Sequence, residues 1–154
     1  MKSINTLVAI LFISLLSSPS WSTALGDLVE RDGLYYKQFT DVPFSGEVTG
    51  KQQGSFKNGK KEGIWVQYHK NGQLKEKVNF KNGKMEGAAV GYHKNGKLSG
   101  KGSLRNGKQE GAWIFYHDNG QLKRKGNFKN DKSEGVWVYY RRNGQLSYKG
   151  NWKN

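Results

Sequence analysis

Glu62-Gly63-Ile64-Trp65-Val66-Gln67-Tyr68-His69-Lys70-Asn71-Gly72-Gln73-Leu74-Lys75 is the stretch that decides the fold. It returns as Glu86-Gly87-Ala88, as Glu110-Gly111-Ala112-Trp113 and as Glu134-Gly135-Val136-Trp137, each 24 residues after the last. Tyr68, Tyr92, Tyr116 and Tyr140 keep that interval, as do Leu74, Leu98, Leu122 and Leu146. A fixed period of this length marks a repeat array.

A second rhythm runs inside the unit. Asn-Gly stands at 58–59, 71–72, 82–83, 95–96, 106–107, 119–120 and 143–144, with Asn130-Asp131 in the remaining place. The steps alternate between 13 and 11 residues, so each unit carries two turn signals. Asn and Gly tolerate the positive φ values of a type I′ turn, and the pair between alternating apolar residues is a strong hairpin signal. Two turns imply two strands per unit, and such short connections make neighbours antiparallel. The expected fold is all-β, an elongated meander of antiparallel hairpins built from 24-residue units.

Composition fits a thin structure. The 154 residues are 34% hydrophobic and 13% aromatic, with 21 Gly, no Cys and a net charge of +14. A thick core is excluded, whereas an array in which each unit covers only its neighbours needs little apolar material. Without cysteine, disulfides, thiolate zinc sites and a cysteine nucleophile are excluded as well.

The ends differ from the array. Residues 1–24 read as a secretory signal peptide, expected as a helix: Lys2, then the apolar run Leu7 to Leu16, then small and polar residues. Ser22-Thr23-Ala24 places small residues where a signal peptidase reads them, so cleavage is expected before Leu25, with the bond after Ser22 as second choice. The product would be secreted or periplasmic. Residues 25–56 form a degenerate N-terminal capping repeat, with strands expected at Gly33 to Lys37 and Gly46 to Val48, and 57–154 form the array. An atypical first repeat suits the need to cover an open sheet edge.

Period two assigns faces. Ile64, Val66 and Tyr68 point one way and Trp65, Gln67 and His69 the other; Leu74 and Phe80 share a face, with Lys75, Lys77, Asn79 and Lys81 opposite. Gly102, Gly126 and Gly150 inside strands invite rings to lie on the backbone, so aromatic side chains are expected over glycines of the next strand. Ala89 and Gly91 interrupt this ladder and should leave a shallow notch. Lys77, Lys101, Lys125 and Lys149 form one basic column among several, beside the acidic column Glu62, Glu86, Glu110 and Glu134. Such stripes lie roughly 9–10 Å apart and would suit an extended anionic partner.

Chemistry is poorly represented. His69, His93 and His117 are one position in successive units, too far apart to share an ion, and Arg141 follows them. Gly54 to Lys61 imitates a phosphate-binding loop, but Lys61 stands where Ser or Thr should hold magnesium and a strand follows. No paired carboxylates or nucleophile triad stand out, and nothing points to a cofactor. Trp65, Trp113 and Trp137 among lysines could stack nucleic-acid bases, a reading the signal peptide disfavours.

The unit E-G-x-W-x-x-Y-H-x-N-G-Q-L-x-x-K-G-x-F-K-N-G-K resembles the MORN-repeat variant of bacterial proteins, in particular the antitoxin-type group called YwqK-like. Gly33 to Tyr36 followed by Pro43 to Gly46 also resembles that group's first segment, so the likeness spans Leu28 to Asn154. It implies a non-enzymatic binding array and, more narrowly, an antitoxin; in an exported chain that would mean immunity within the envelope. The first expectation is therefore an exported module that binds a protein, such as a toxin or effector, through Trp65, Trp113, Phe115, Trp137 and Tyr139. The alternative is a peripheral binder of anionic lipid or envelope polymer through Lys77, Lys101, Lys125 and Lys149.

Overall fold

Turns organise the chain, and they come in two kinds. In the computed structural model, which describes residues 22–153, Asn58-Gly59, Asn82-Gly83 and Asn106-Gly107 have positive φ at both residues, and Asn130-Asp131 does too, at 50° and 65°. These are the type I′ turns that the dipeptide predicts. The other four Asn-Gly pairs are not. There only Gly72, Gly96, Gly120 and Gly144 are left-handed, and a longer loop closes with Gly72 N–H on the His69 carbonyl and His69 N–H on the Gln73 carbonyl. Asn71 Oδ1 accepts the N–H of Gln73, a bond repeated by Asn95, Asn119 and Asn143. In this loop Asn is used for its side chain, which closes an Asx turn, and not for tolerance of positive φ.

The strands are β1 (Thr23–Ala24), β2 (Leu28–Arg31), β3 (Leu34–Lys37), β4 (Gly46–Thr49), β5 (Gln52–Lys57), β6 (Lys60–Tyr68) and β7 (Leu74–Lys81). They continue as β8 (Lys84–Tyr92), β9 (Leu98–Arg105), β10 (Lys108–Tyr116), β11 (Leu122–Lys129), β12 (Lys132–Tyr140) and β13 (Leu146–Trp152). From β4 to β13 each strand pairs antiparallel with the next, in one 11-stranded sheet that β1 joins parallel to β4. The all-β hairpin meander is thus the observed architecture. The expected signal helix lies outside the described residues, except that Thr23 and Ala24 form β1 and a single 3-10 turn follows at Leu25–Asp27.

Each first strand of a unit carries a bulge at its Glu-Gly. In β10, Glu110 faces Ser103 and Ile114 faces Lys101, so Gly111, Ala112 and Trp113 together stand against Gly102 alone. Gly63, Gly87, Gly111 and Gly135 take φ between 66° and 82° to make this step, a conformation open to glycine at little cost. The extra length lets the indole fold back over the neighbouring strand. Ideal Cβ atoms at Gly54, Gly102 and Gly126 would lie 2.4, 2.2 and 2.2 Å from Trp65, Trp113 and Trp137. Aromatic-over-glycine packing is present as expected, but the glycine belongs to the preceding strand. Each indole Nε1 donates to a carbonyl of that strand, Ser55, Ser103 or Asn127.

A second bulge corrects the face assignment. Leu74 pairs with Tyr68 and Phe80 with Gly63, with Lys75 as the additional residue between the two registers. Phe80 packs edge-on to Trp65, while Leu74 joins the Tyr68 side. Leu74 and Phe80 therefore do not share a face, because one inserted residue reverses the alternation.

Two apolar clusters occupy the indole face. Leu28, Phe44, Val48, Phe56, Trp65 and Val78 form the first. Trp113, Phe128 and Trp137 form the second. The opening segment covers the first cluster: the β2–β3 hairpin lays Tyr35 on Phe56, ring centroids 4.8 Å apart, and Tyr35 N–H bonds to the Gly59 carbonyl. Capping here acts on the core as well as on the edge, which β1 pairs.

Candidate interaction surfaces

Most polar columns are consumed in holding unit to unit. Glu62, Glu86 and Glu110 each accept the backbone N–H of the asparagine in the next I′ turn (Asn82, Asn106, Asn130) at 2.8–3.0 Å. His69, His93 and His117 each donate through Nε2 to the carbonyl of Tyr92, Tyr116 or Tyr140, all at 3.0 Å. Asn71, Asn95 and Asn119 donate through Nδ2 to the next loop's carbonyls at 2.7 Å. In the fourth unit Arg141 stands in the histidine place, and Asn143 turns to Gln145 within its own loop. The histidines are a ladder between repeats. Among the described residues no group of three or more His, Cys, Asp or Glu could hold a metal.

Charge supplements this ladder. Arg142 bonds Asp118 across adjacent loops and holds its carboxyl below the usual carboxylate range. Lys61 lies 4.4 Å above the Trp65 ring and 5.3 Å above Phe80. Burial against those rings lowers its ammonium pKa, opposed by Glu30 and Glu76.

The aromatic face is only partly a surface. Trp65, Trp113 and Trp137 are 3%, 8% and 0% exposed, so these three indoles are core and cannot be offered to a partner. They fill the two apolar clusters with Phe56, Val78 and Phe128, and the bulge turns each ring inward. Phe115 and Tyr139 remain half-buried and reachable. Phe115 stacks on Trp113 at 5.6 Å and 18°. Arg124 sits 4.3 Å above Phe115, and Tyr139 meets the exposed Tyr148 at 5.9 Å. Register explains the strip: Phe115 faces Arg124, Arg124 faces Tyr139, and Tyr139 faces Tyr148. Sequence reasoning missed Arg124 and Tyr148, which the cross-strand register alone brings beside the other two.

The opposite face carries the lysine row. Lys77, Lys101, Lys125 and Lys149 are all exposed. Lys77 pairs with Val66 and Val90, Lys101 with Val90 and Ile114, Lys125 with Ile114 and Val138, and Lys149 with Val138. Lysine and β-branched residues therefore alternate across the strands. The face expected to be wholly polar is mixed, because the Ile64-Val66-Tyr68 side and the lysine side are one. Among the described residues no helix is long and apolar enough to cross a membrane.

No curated protein matches the chain. The MORN repeat variant matches at residues 61–82, 85–106, 109–130 and 133–154. Each match starts one residue inside the first strand of a hairpin and runs through the second strand to the next turn position, so the family's unit is the structural unit. Four such copies in register, covering more than half of the chain, make this a protein of the MORN repeat variant family.

Proposed function

We propose that the chain is a non-catalytic binding module for an acidic protein partner. The observation that carries this reading is the strip Phe115, Arg124, Tyr139 and Tyr148. It sets partly exposed rings beside a guanidinium, on a sheet whose glutamate, histidine and loop-asparagine columns are largely bonded from hairpin to hairpin. Aromatic and arginine side chains are the residue types that dominate protein contacts, and the net charge of +14 would steer an acidic surface toward them. The apolar leader of residues 7–16 supports export, to the periplasm or outside the cell. The likeness of Gly33 to Tyr36 and Pro43 to Gly46 to the YwqK-like group supports the narrower role of an immunity protein against a toxin or effector.

Affinity capture on the exported form tests this. A partner retained at roughly 0.5 M NaCl, where the Debye length falls to a few ångströms, and lost with Tyr139→Ala plus Arg124→Ala, is the expected result. A capture indifferent to both substitutions would refute the strip. The lysine row motivates a second reading, a peripheral binder of anionic lipid or envelope polymer through Lys77, Lys101, Lys125 and Lys149. Vesicle binding that disappears at that salt and with those lysines replaced would favour it over the first.

A further inference from the structure

The repeat is broken on the indole face at one place, and four substitutions make the break. Where other units carry Trp65, Trp113 and Trp137, the second has Ala89; where others have Gly54, Gly102 and Gly126, it has Val78. Val78 and Ala89 face each other, so a smaller pair replaces the indole-on-glycine pair, and Val78 is buried. Beside them Gly91 pairs directly with Gly100, in the positions that Phe115 and Arg124 fill one unit on. What results is an open gap of about 220 Å³. Val78, Ala89 and Leu104 line it with Trp113 and Phe115, and Glu76 is also part of its lining.

Neither backbone nor crowding demands a glycine at 91. Its φ is not positive, and an added Cβ would crowd the Ser99 hydroxyl, at 2.9 Å, and make ordinary contact with the Lys75 carbonyl at 3.8 Å. Gly100 differs, since the Phe115 ring lies 2.9 Å from where its Cβ would be. Phe115 lies between Trp113 and Trp137, at 5.6 and 6.4 Å, and this row of rings borders the vacancy with Trp113 and Phe115. A dry cavity of about 150 Å³ already accepts benzene, so this larger gap has room for a ring. Two cations stand one residue back from the gap: Lys61 over Trp65, which pairs with Val78, and Arg124 over Phe115.

We propose that the gap receives one aromatic side chain of a protein partner, which extends the row of rings beside Trp113 and Phe115, while carboxylates beside that ring in the partner's chain meet Lys61 and Arg124. This deepens the protein-binding reading and rests on it. The test is methyl-resolved NMR of the full chain titrated with a short peptide whose central tryptophan is flanked by acidic residues, and with its central-alanine counterpart. The tryptophan peptide should give saturable shifts at Val78, Ala89 and Leu104, and the alanine peptide should bind about tenfold more weakly or less. Gly91→Phe, which fills the gap from within, should abolish the shifts while leaving circular dichroism and melting unchanged. The paired variant Val78→Gly plus Ala89→Trp restores the indole-on-glycine pair by a second route and should abolish the shift at Leu104, the reporter it retains. Equal shifts with both peptides, no saturable shift, or undiminished binding to either filled variant would overturn the proposal. Shifts confined to residues around Tyr139 and Tyr148 would overturn the gap and leave the protein-binding reading standing. Shifts confined to Val66, Val90, Ile114 and Val138 would overturn both in favour of the lysine face.

Discussion

A methyl group added at Gly126 would arrive 2.2 Å from Trp137, an indole with no exposed surface and no room to move. Gly126→Ala should therefore cost roughly 1–3 kcal/mol, the usual range for overpacking, read as a lower urea midpoint. Gly91→Ala crowds no ring, only the rotatable Ser99 hydroxyl being closer than 3 Å, and should be close to neutral in the same assay. Equal costs would show that the indole, and not general strand propensity, had been given the wrong role. The Asp118–Arg142 pair sets a pH dependence whose sign follows from its depressed carboxyl pKa. Its contribution to stability is present above the ordinary aspartate value near 3.9 and is lost as pH falls through the lower folded value. In a carboxyl-detected titration, Arg142→Ala should move the Asp118 midpoint upward. The indole columns and the strand glycines could be read together from the sequence as a packing pair. That the indoles would be sealed in could not, because counting by two cannot see the two residues that each Glu-Gly bulge inserts.

Hairpin by hairpin, the loops do different work at the two ends of the strands. The I′ turns are docked by a glutamate of the strand after the previous I′ turn, and the Asx loops by a histidine and an asparagine of the previous Asx loop. Asn95→Ala removes both the bond to the Asp118 carbonyl and the Asx acceptance from Lys97. It should cost about 1–2 kcal/mol at about 1 kcal/mol per hydrogen bond. Asn143→Ala, whose Nδ2 bonds only within its own loop, should cost less, and urea midpoints of the two variants compare them directly. The dipeptide alone locates both kinds of turn but cannot separate them. What separates them is the residue two places before the asparagine: Phe56, Phe80, Leu104 and Phe128 in one kind, His69, His93, His117 and Arg141 in the other.

At the level of the whole molecule, each unit touches its neighbours and little else, so stability is the sum of unit and junction contributions. Deleting residues 109–132 joins Lys108 to Ser133 at equivalent positions and removes one whole period. The shortened chain should retain a β-type circular dichroism spectrum, with a smaller denaturant slope in proportion to the surface it no longer buries. Loss of all structure would mean that the array folds as a single cooperative globule. The lysine row and the net charge of +14 belong to this scale also, because no single unit assembles them.

The paired bulges set a rule for how such a chain can change its length. Each period adds two residues at its Glu-Gly step and one after its leucine, at Lys75, Ser99, Lys123 or Ser147, and only a complete period returns every side chain to its own row of the ribbon. A slip of one codon within a strand would turn the following indole out to water and draw lysines inward. Duplication or loss of a whole repeat in the coding DNA leaves all the others undisturbed. The molecule can thus be resized in fixed steps, like a ladder losing or gaining a rung, and its reach along a partner is adjustable without any new design of the parts.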